Sequence, residues 1–421
     1  MNVLHVIQRY EPAIGGAETW CREVSRRQVR LGHRVRVVTL DIVDETEFWS
    51  EAAGDDRCRH LGALDLDHGV EVRRFHRSLP PRLVHHLLLR GLCDGLLDRF
   101  MLGPHSAEMM VHLDAEVAWA DVVHLHSLPY PHNGLGLRAA RRAGRPVVLT
   151  PHWHVGHRDY ERPHQFRLLR RVDRLVAVTR HEKAVLIRRG VQAERIVVSG
   201  NGAPAPGAVP DRRDARRWLG RHAPVADGDA VVVCLARQMR EKGLETLVRA
   251  VERLREDGRR VWLVTAGPQQ DWFARWVSAR SASGRGGVID VGRVSDEAKG
   301  LLLAAADVFA MPSLHEAFGI VFLEAWQAGL PVIGGDSAAQ REVIGRGGCT
   351  VPFGDVSALA AAMSLYLDDP TAAREAVACG KQALSERFNW DAVVSVVESC
   401  YAGLEPPVAA RKKRPISGTA C

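Results

Sequence analysis

The sequence predicts an α/β protein made of two doubly wound domains, each with a parallel sheet covered by helices. Short β-branched runs alternate with helical patterns along most of the 421 residues. Many of these runs are apolar at consecutive positions, as in strands that are buried on both faces. A segment rich in proline and glycine, residues 201–210, interrupts the alternation near the middle of the chain. Because this composition suits neither a helix nor a strand, we expect the chain to divide there.

The predicted elements follow the same rhythm in both halves. Strands are predicted over residues 3–7, 35–39, 122–126, 147–150, 174–179, 196–198, 230–235, 262–265, 288–291 and 308–311. Helices are predicted over residues 17–31, 180–190, 244–257, 296–306, 318–328 and 390–404. Buried strands separated by helices indicate parallel sheets with helices on both faces.

These elements define the expected domain organisation. Residues 1–200 form the first domain, residues 201–210 the linker and residues 211–387 the second domain. The helix at 388–404 returns to the first domain, and a disordered basic tail follows at 405–421. Folds of this class bind ligands beyond the carboxyl ends of their strands, so we expect the site in a cleft between the two domains.

Charge is distributed unevenly between the two halves. Residues 1–210 carry 30 basic and 24 acidic side chains, a net charge of 30 − 24 = +6, whereas the remaining residues carry 27 and 26. A basic surface suits an anionic membrane or a phosphorylated substrate. No nucleic-acid-binding module accompanies the charge, so nucleic acid is not an expected partner.

Several further features bear on where the protein is located. No apolar stretch reaches 18 residues, and the first residues enter a strand pattern directly, so we expect neither a transmembrane helix nor a cleaved signal peptide. The eight cysteines are scattered, without a Cys-x-x-Cys pair. That usage fits a reducing compartment. We therefore expect a cytoplasmic protein that can contact the inner face of the membrane.

Two glutamates eight residues apart form the strongest local signal. Glu316 follows a predicted strand, and Glu324 is expected about two turns into the next helix. The first backbone amides of this helix, at Phe318, Gly319 and Ile320, suit phosphate oxygens. A ligand with both hydroxyl groups and a diphosphate would use all these groups. The alternative is an amphipathic helix with two solvated glutamates.

Two other strand-to-helix turns carry candidate ligand-binding residues. Arg237 and Lys242 flank one turn, where a guanidinium, an ammonium and a helix N-terminus suit two adjacent phosphates. Gly15 and Gly16 form the other turn and permit close backbone approach to a ligand. The alternatives are solvated basic residues in the first case and a turn without a ligand in the second.

Histidines cluster at two predicted strand ends. His124 and His126 end one strand, and His152 and His154 follow the next. Residues i and i+2 of a strand face the same way, so each pair could converge on a metal. Metal binding, substrate contact by His126 or His152, and a structural role all remain open. Residues 83–97 form a predicted basic amphipathic helix, for which membrane contact and plain packing are both open.

Taken in chain order, these motifs resemble the GT-B-fold retaining glycosyltransferases of family 4, also called the group 1 type. The resemblance runs from about Val3 to Leu404. Its pieces are Gly15-Gly16-Ala17-Glu18, the His124-Leu125-His126-Ser127 strand end, Thr150-Pro151-His152, Ser199-Gly200-Asn201-Gly202, Arg237 with Lys242-Gly243, Val291-Gly292-Arg293-Val294, and Glu316 with Glu324. Each piece alone is weak, whereas the ordered set is specific.

The resemblance implies roles for the residues of the second domain. Arg237 and Lys242 would bind the donor diphosphate, and Glu316 would contact the donor sugar. Glu324 would hydrogen-bond the nucleotide ribose, and Val294 would lie beside the base. The amides of residues 318–320 would support sugar hydroxyls or phosphate.

It also implies roles for the first domain. Gly15 and Gly16 would face the diphosphate, and His152 would contact the donor sugar near its reacting carbon. Glu18 and His126 are candidates on the acceptor side. Together with Arg237, Lys242 and Glu316, His152 completes the expected catalytic set.

The implied activity is transfer of a hexose from a UDP- or GDP-sugar to a glycan, lipid-linked or glycolipid acceptor, with retention of configuration. The resemblance implies a front-face mechanism that needs neither a metal nor another cofactor. A phosphorylase or synthase of the same fold, and a nucleotide-sugar-binding protein without turnover, are the alternatives. The chain departs from the family pattern at Ala236, a mild change, and at Pro151 and Trp326. Because of the latter two, the resemblance does not define the sugar and acceptor pockets.

Overall fold

The computed structural model describes residues 1–43, 48, 62–78, 103–203, 210–221, 225–226, 228–282 and 286–404. The chain forms two compact units: unit 1 comprises residues 1–200 and the chain from Trp390 onward, and unit 2 comprises residues 201–389. The predicted helix at 83–97, the tail at 405–421 and most of the linker lie outside the described residues. No helix in the described ranges has the length and apolar character needed to cross a membrane.

Unit 1 is built on a mostly parallel sheet. Its strands are β1 (Asn2–Val6), β2 (Arg34–Leu40), β3 (Leu64–Asp67), β4 (Val70–Phe75), β5 (Val122–His126), β6 (Val147–Thr150), β7 (Arg174–Ala177) and β8 (Ile196–Val198). Its helices are α1 (Gly16–Arg30), α2 (Ala107–Trp119), α3 (His132–Ala143), α4 (Pro163–Arg171), α5 (Arg180–Arg188) and, from the end of the chain, α14 (Trp390–Ala402). The strand order is β3-β4-β2-β1-β5-β6-β7-β8.

The two faces of this sheet carry different chemistry, because side chains alternate along each strand. On one face, Leu4, Val123 and Leu125 belong to an aliphatic core with residues of α2 and α3. On the other face, His5 hydrogen-bonds α1 and His124 hydrogen-bonds α14. The histidines of β1 and β5 are therefore interior residues of unit 1.

Unit 2 is a second α/β unit. Its strands are β9 (Ala230–Leu235), β10 (Val261–Ala266), β11 (Val288–Asp290), β12 (Val308–Met311), β13 (Val332–Gly335) and β14 (Gly348–Val351). Its helices are α6 (Arg212–Leu219), α7 (Leu244–Glu256), α8 (Asp271–Ala282), α9 (Asp296–Ala305), α10 (Ile320–Gln327), α11 (Ala338–Ile344), α12 (Val356–Asp368) and α13 (Pro370–Glu386). The strand order is β11-β10-β9-β12-β13-β14, and every pairing is parallel.

Two details of individual elements differ from the expectations. The sheet of unit 1 is parallel except at one edge, where β3 pairs with β4 in antiparallel register. His68 and Gly69, both with positive φ, form the tight turn between these strands. In unit 2, α10 begins at Ile320 rather than at Phe318, because Gly319 adopts φ 88° before the first helical residue. Glu324 therefore lies about one turn into the helix, not two.

Candidate active site

Unit 2 has a topological switch point between β9 and β12. The chain leaves β9 toward β10 on one side, whereas β12 pairs with β9 on the other. Ligands of doubly wound sheets bind in the crevice that such a reversal opens at the carboxyl ends of the strands. The loop after β9 carries Arg237 and Lys242, and the loop after β12 carries Glu316. The backbone joins these loops directly, since Leu314 N–H donates to the Glu241 carbonyl at 2.8 Å.

Lys242 and Glu316 form an ion pair across the switch point. The Lys242 Nζ to Glu316 Oε2 distance is 2.6 Å, and the two side chains are 12% and 13% exposed. An ammonium and a carboxylate held this close and partly shielded from water attract each other more strongly than an exposed pair would. The pair places one fixed positive and one fixed negative group at the expected ligand position.

Glu324 forms a second ion pair in the same unit. Lys299 Nζ, on α9, lies 2.9 Å from Glu324 Oε1 and 2.9 Å from Asp296 Oδ1. Burial alone would lower the pKa of Lys299, but the two carboxylates outweigh it and hold the pKa above its usual value. Glu324 is therefore positioned by α9 as well as by its own helix.

The remaining candidates of unit 2 lie on the same edge of the sheet. Arg237 is half-buried in the loop that follows β9, and Val294 is half-buried after β11. The Phe318 side chain is buried edge-on against Phe388, with ring centroids 5.5 Å apart. At this position only the backbone amide remains a candidate contact for a ligand.

In unit 1, Gly15 and Gly16 differ in what surrounds them. A Cβ built on Gly15 would lie 2.1 Å from Glu18 Oε2, whereas a Cβ built on Gly16 meets no atom of the described chain within 4 Å. Glu18 itself is held by Arg9, with Arg9 Nη2 2.7 Å from Glu18 Oε1 and both side chains 4% exposed. Gly15 thus makes room for the Glu18 carboxylate, while Gly16 leaves open space at the start of α1.

Buried histidines form a hydrogen-bonded network below this turn. His5 Nδ1 lies 2.8 Å from His126 Nε2, and His5 Nε2 lies 2.7 Å from Gln28 Oε1 on α1. His124 Nδ1 lies 2.6 Å from the Tyr401 hydroxyl on α14, and its Nε2 lies 2.8 Å from Thr150 Oγ1. The network connects three strands of the sheet, β1, β5 and β6, to the helices α1 and α14.

Burial keeps these imidazoles neutral. It lowers the pKa of His5 to about 4 and the pKa of His152 to about 3, and it holds the pKa of His126 well below the usual value. A neutral imidazole has one nitrogen that accepts a hydrogen bond and one that donates. The arrangement suits hydroxyl groups better than anions.

Two imidazole nitrogens in this region are buried without a hydrogen-bond partner in the described chain, His126 Nδ1 and His152 Nε2. His152 and the neighbouring Ser127 also have positive φ, at 48° and 63°. Such strained non-glycine residues concentrate at ligand sites. His126 and His152 therefore remain candidates for substrate contact at the carboxyl edge of unit 1.

The metal alternative depends on which histidines converge. The structure brings His5, His124 and His126 together, and one nitrogen of each ring lies within 4.8 Å of the other two. These three rings already hydrogen-bond one another or Gln28, Thr150 and Tyr401. Metal ligation would require breaking those bonds, so the geometry favours a structural network over a metal site.

Sequence reasoning missed three residues that position these groups: Arg9, Lys299 and Glu182. The backbone amide of Glu182 donates to the Thr179 hydroxyl at the start of α5. The Glu182 carboxylate accepts hydrogen bonds from the Trp153 and Val178 amides at 2.9 and 2.6 Å. It therefore fixes the backbone directly after His152. The Thr-x-x-Glu spacing at 179–182 is a capping-box pattern that could have revealed it. Arg9 and Lys299 have no such local signal.

Known protein families match both units. Residues 220–385 match the family described as glycosyl transferases group 1, and residues 14–205 match glycosyltransferase family 4. D-inositol 3-phosphate glycosyltransferase of Streptomyces avermitilis is 30% identical over 391 residues, covering 82% of this chain and 80% of the relative. Glycogen synthase of Mycobacterium tuberculosis is 28% identical over 411 residues, covering 95% and 94%.

A solved structure shows the same fold. Anabaena HepE in complex with UDP and glucose superposes with a TM-score of 0.72 at 20% sequence identity, covering 96% of this chain and 100% of that chain. At this level of identity the likeness concerns the fold alone.

Proposed function

The chain belongs to the group 1 glycosyltransferases, and from this premise we propose that it transfers a hexose from a UDP- or GDP-sugar to a hydroxyl group of a glycan or lipid-linked acceptor. The observation that carries the proposal is the Lys242–Glu316 ion pair at the switch point of unit 2. It supplies a cation for phosphate and a carboxylate for sugar hydroxyls at the edge where doubly wound sheets bind ligands. The structure of Anabaena HepE with UDP and glucose supports a donor of this class.

In the proposed reaction, the cations stabilise the leaving group. Arg237 and Lys242 neutralise the charge that develops on the nucleoside diphosphate as the glycosidic bond breaks. Glu316 balances Lys242 before the donor binds and turns its carboxylate to the sugar hydroxyls afterwards. The acceptor hydroxyl attacks from the side that the diphosphate leaves and gives its proton to an oxygen of that leaving group, so configuration is retained.

The proposal includes independence from metal ions. A guanidinium and an ammonium provide the charge that a divalent cation provides elsewhere. Nucleoside diphosphate release from a panel of UDP-, GDP- and ADP-sugars should therefore persist in EDTA. Loss of release in EDTA, with recovery on adding Mg²⁺, would refute this part of the proposal.

Turnover is tested with the same panel and a matched variant. We expect one nucleotide sugar to give nucleoside diphosphate and a glycosylated acceptor, and Glu316→Gln to reduce that rate strongly. Because Lys242 loses its charged partner, the thermal midpoint should also fall, so the rates are compared well below both midpoints. Stereochemistry follows from NMR of the product. Phosphate-dependent release of a sugar phosphate would instead indicate a phosphorylase, and binding without turnover would indicate a binding protein.

Membrane contact through the basic first half of the chain is a further part of the proposal. The net charge of 30 − 24 = +6 over residues 1–210 supports attraction to anionic lipid. Sedimentation with vesicles that contain phosphatidylglycerol, compared with neutral vesicles, measures it. Equal sedimentation with both vesicle types would count against an electrostatic contact.

A further inference from the structure

Gln238 is bonded through every polar group that it has. Its N–H donates to the Pro268 carbonyl at 3.2 Å, and its carbonyl accepts from Trp272 Nε1 at 2.9 Å. Its side-chain Oε1 accepts from the Gln270 amide at 2.9 Å, and its Nε2 donates to Asp290 Oδ1 at 2.7 Å. The residue is 1% exposed. All four partners come from the segments that follow β10 and end β11.

Asp290, the last residue of β11, collects hydrogen bonds from three segments. Its Oδ1 accepts from Gln238 Nε2 at 2.7 Å, from Thr265 Oγ1 at 3.1 Å and from the Gly292 amide at 3.3 Å. Its Oδ2 accepts from Gln269 Nε2 at 3.0 Å. One carboxylate therefore joins the loops that follow β9, β10 and β11 at the carboxyl edge of unit 2.

The Gln238–Asp290 clamp, the set of hydrogen bonds just described, lies next to both cations of the proposed donor site. Gln238 directly follows Arg237, and Lys242 is four residues further on. The backbone that carries both cations is thus held against β10 and β11, while Glu316 holds the Lys242 side chain from the β12 loop. Charge stabilisation of a leaving group depends on donors that are fixed in advance, and a misplacement of about 1 Å can cost about 100-fold in rate.

We propose that Gln238 and Asp290 are positioning residues that hold the Arg237–Lys242 loop in place to bind the diphosphate of a nucleotide donor. This inference rests on the proposed function. Neither residue needs to touch the donor. The clamp acts through the backbone of the loop, so disturbing it should affect donor binding and turnover, and leave acceptor binding unchanged.

The same sheet offers a matched control at its opposite edge. Asp307, directly before β12, also accepts several hydrogen bonds: Arg216 Nη2 lies 2.7 Å away and the Val231 amide 2.8 Å away, and Arg212 pairs with its other oxygen at 2.5 Å. It joins α6 to the amino ends of β9 and β12, at the edge away from Lys242. Asp307→Asn therefore tests the loss of a comparable strand-end carboxylate without disturbing the donor loop.

The test places a second carboxylate beside Asp290 in the full chain and then adds a second substitution that should restore activity. Gln238→Glu puts two carboxylates where a 2.7 Å hydrogen bond stands, so we expect donor kcat/KM to fall roughly 10- to 100-fold, with acceptor KM changed less than about two-fold. Asp290→Asn keeps the shape and an acceptor oxygen, so its loss should be smaller. The double variant Q238E/D290N restores an amide-to-carboxylate bond, but the amide nitrogen that faces residue 238 no longer accepts from Thr265 and Gly292. It should therefore recover part of the donor kcat/KM.

The outcomes separate this inference from the proposed function. Binding of UDP and GDP is measured by calorimetry alongside the kinetics and the thermal midpoint. If the parent protein binds neither nucleotide, the proposed function fails. If the parent protein binds one nucleotide, two outcomes overturn the positioning role. The first is that Gln238→Glu lowers only the thermal midpoint, as Asp307→Asn is expected to do. The second is that the double variant recovers none of the lost donor kcat/KM.

Discussion

The two units present contrasting chemistry at the carboxyl edges of similar sheets. Unit 1 places buried neutral imidazoles there, and all but two of the 19 histidines of the chain, His222 and His315, belong to residues 1–200. Unit 2 places the ion pairs Lys242–Glu316 and Lys299–Glu324 at its edge. One fold thus carries neutral hydrogen-bonding groups in one unit and charges in the other. The contrast matches the proposed substrates, since a sugar offers hydroxyls and a nucleotide donor offers a diphosphate.

Removing the Lys242 ammonium from unit 2 should have the largest effect on activity. We expect Lys242→Ala to lower kcat about 100- to 1,000-fold, because one preorganised cation facing the leaving group is lost. Acceptor KM should change little. Steady-state kinetics with varied donor and acceptor measure this, with Lys381→Ala as an exposed control in the same unit. Unchanged turnover with weakened acceptor binding would reverse the roles assigned to the two units.

Acid should weaken unit 1 selectively. Burial lowers the pKa of His5 to about 4 and of His152 to about 3, from 6.5, so the unfolded chain binds more protons than the folded chain below pH 6.5. The stability that these two neutral histidines contribute is fully present above that pH and is lost as the pH falls toward 4. We expect a loss of about 1.5 kcal/mol for each histidine between pH 6.5 and about pH 5.

Hydrogen exchange, corrected for the intrinsic pH dependence of the exchange rate, locates this effect along the chain. Peptides from residues 1–200 should lose protection at pH 5, while peptides from residues 211–387 keep theirs. Loss of protection confined to unit 2 would contradict the assignment of the buried neutral histidines as the acid-sensitive groups.

Substitutions at the two adjacent glycines of unit 1 should distinguish a structural role from contact with a ligand. Gly15→Ala should destabilise the protein by about 1 to 2 kcal/mol, because the new methyl group displaces Glu18 from its buried pair with Arg9. Gly16→Ala has space and should leave the unfolding free energy nearly unchanged, yet weaken donor binding. Chemical denaturation and nucleotide titration distinguish the two. Equal destabilisation by both substitutions would show that the open space at Gly16 is not available to a ligand.

Loss of one hydroxyl group from the histidine network should have the smallest effect. Tyr401→Phe removes the hydroxyl that bonds His124 Nδ1 at 2.6 Å and should cost about 1 kcal/mol. Urea denaturation measures it, with Tyr366→Phe on α12 as a comparison in unit 2. A loss well above 3 kcal/mol would mean that α14 depends on this bond far more than the geometry indicates.

The sequence predicted the architecture well where strands are buried on both faces. The fold class, the family resemblance and the assignment as a glycosyltransferase are confirmed. The predicted bounds of β5, β6, β8, β9 and β12 coincide with those of the structure. Polar or turn-forming residues flank the apolar runs of these strands, so a local pattern is sufficient to predict where each strand begins and ends.

Elements and contacts that depend on distant residues were not predictable in the same way. β3 alternates leucine and aspartate, and Leu64 and Leu66 are exposed, so it lacks the apolar run of a buried strand. The Arg9–Glu18 and Lys299–Glu324 pairs join residues that no short pattern connects. The roles of the site residues as substrate contacts stay predictions.

Nucleotide binding to unit 2 tests the central claim most directly. Calorimetric titration of the full chain with UDP and GDP in EDTA should show one-to-one binding of one of them, and Lys242→Ala should weaken that binding at least about ten-fold. Binding of neither nucleotide, or equal affinity in the Lys242→Ala variant, would contradict the account.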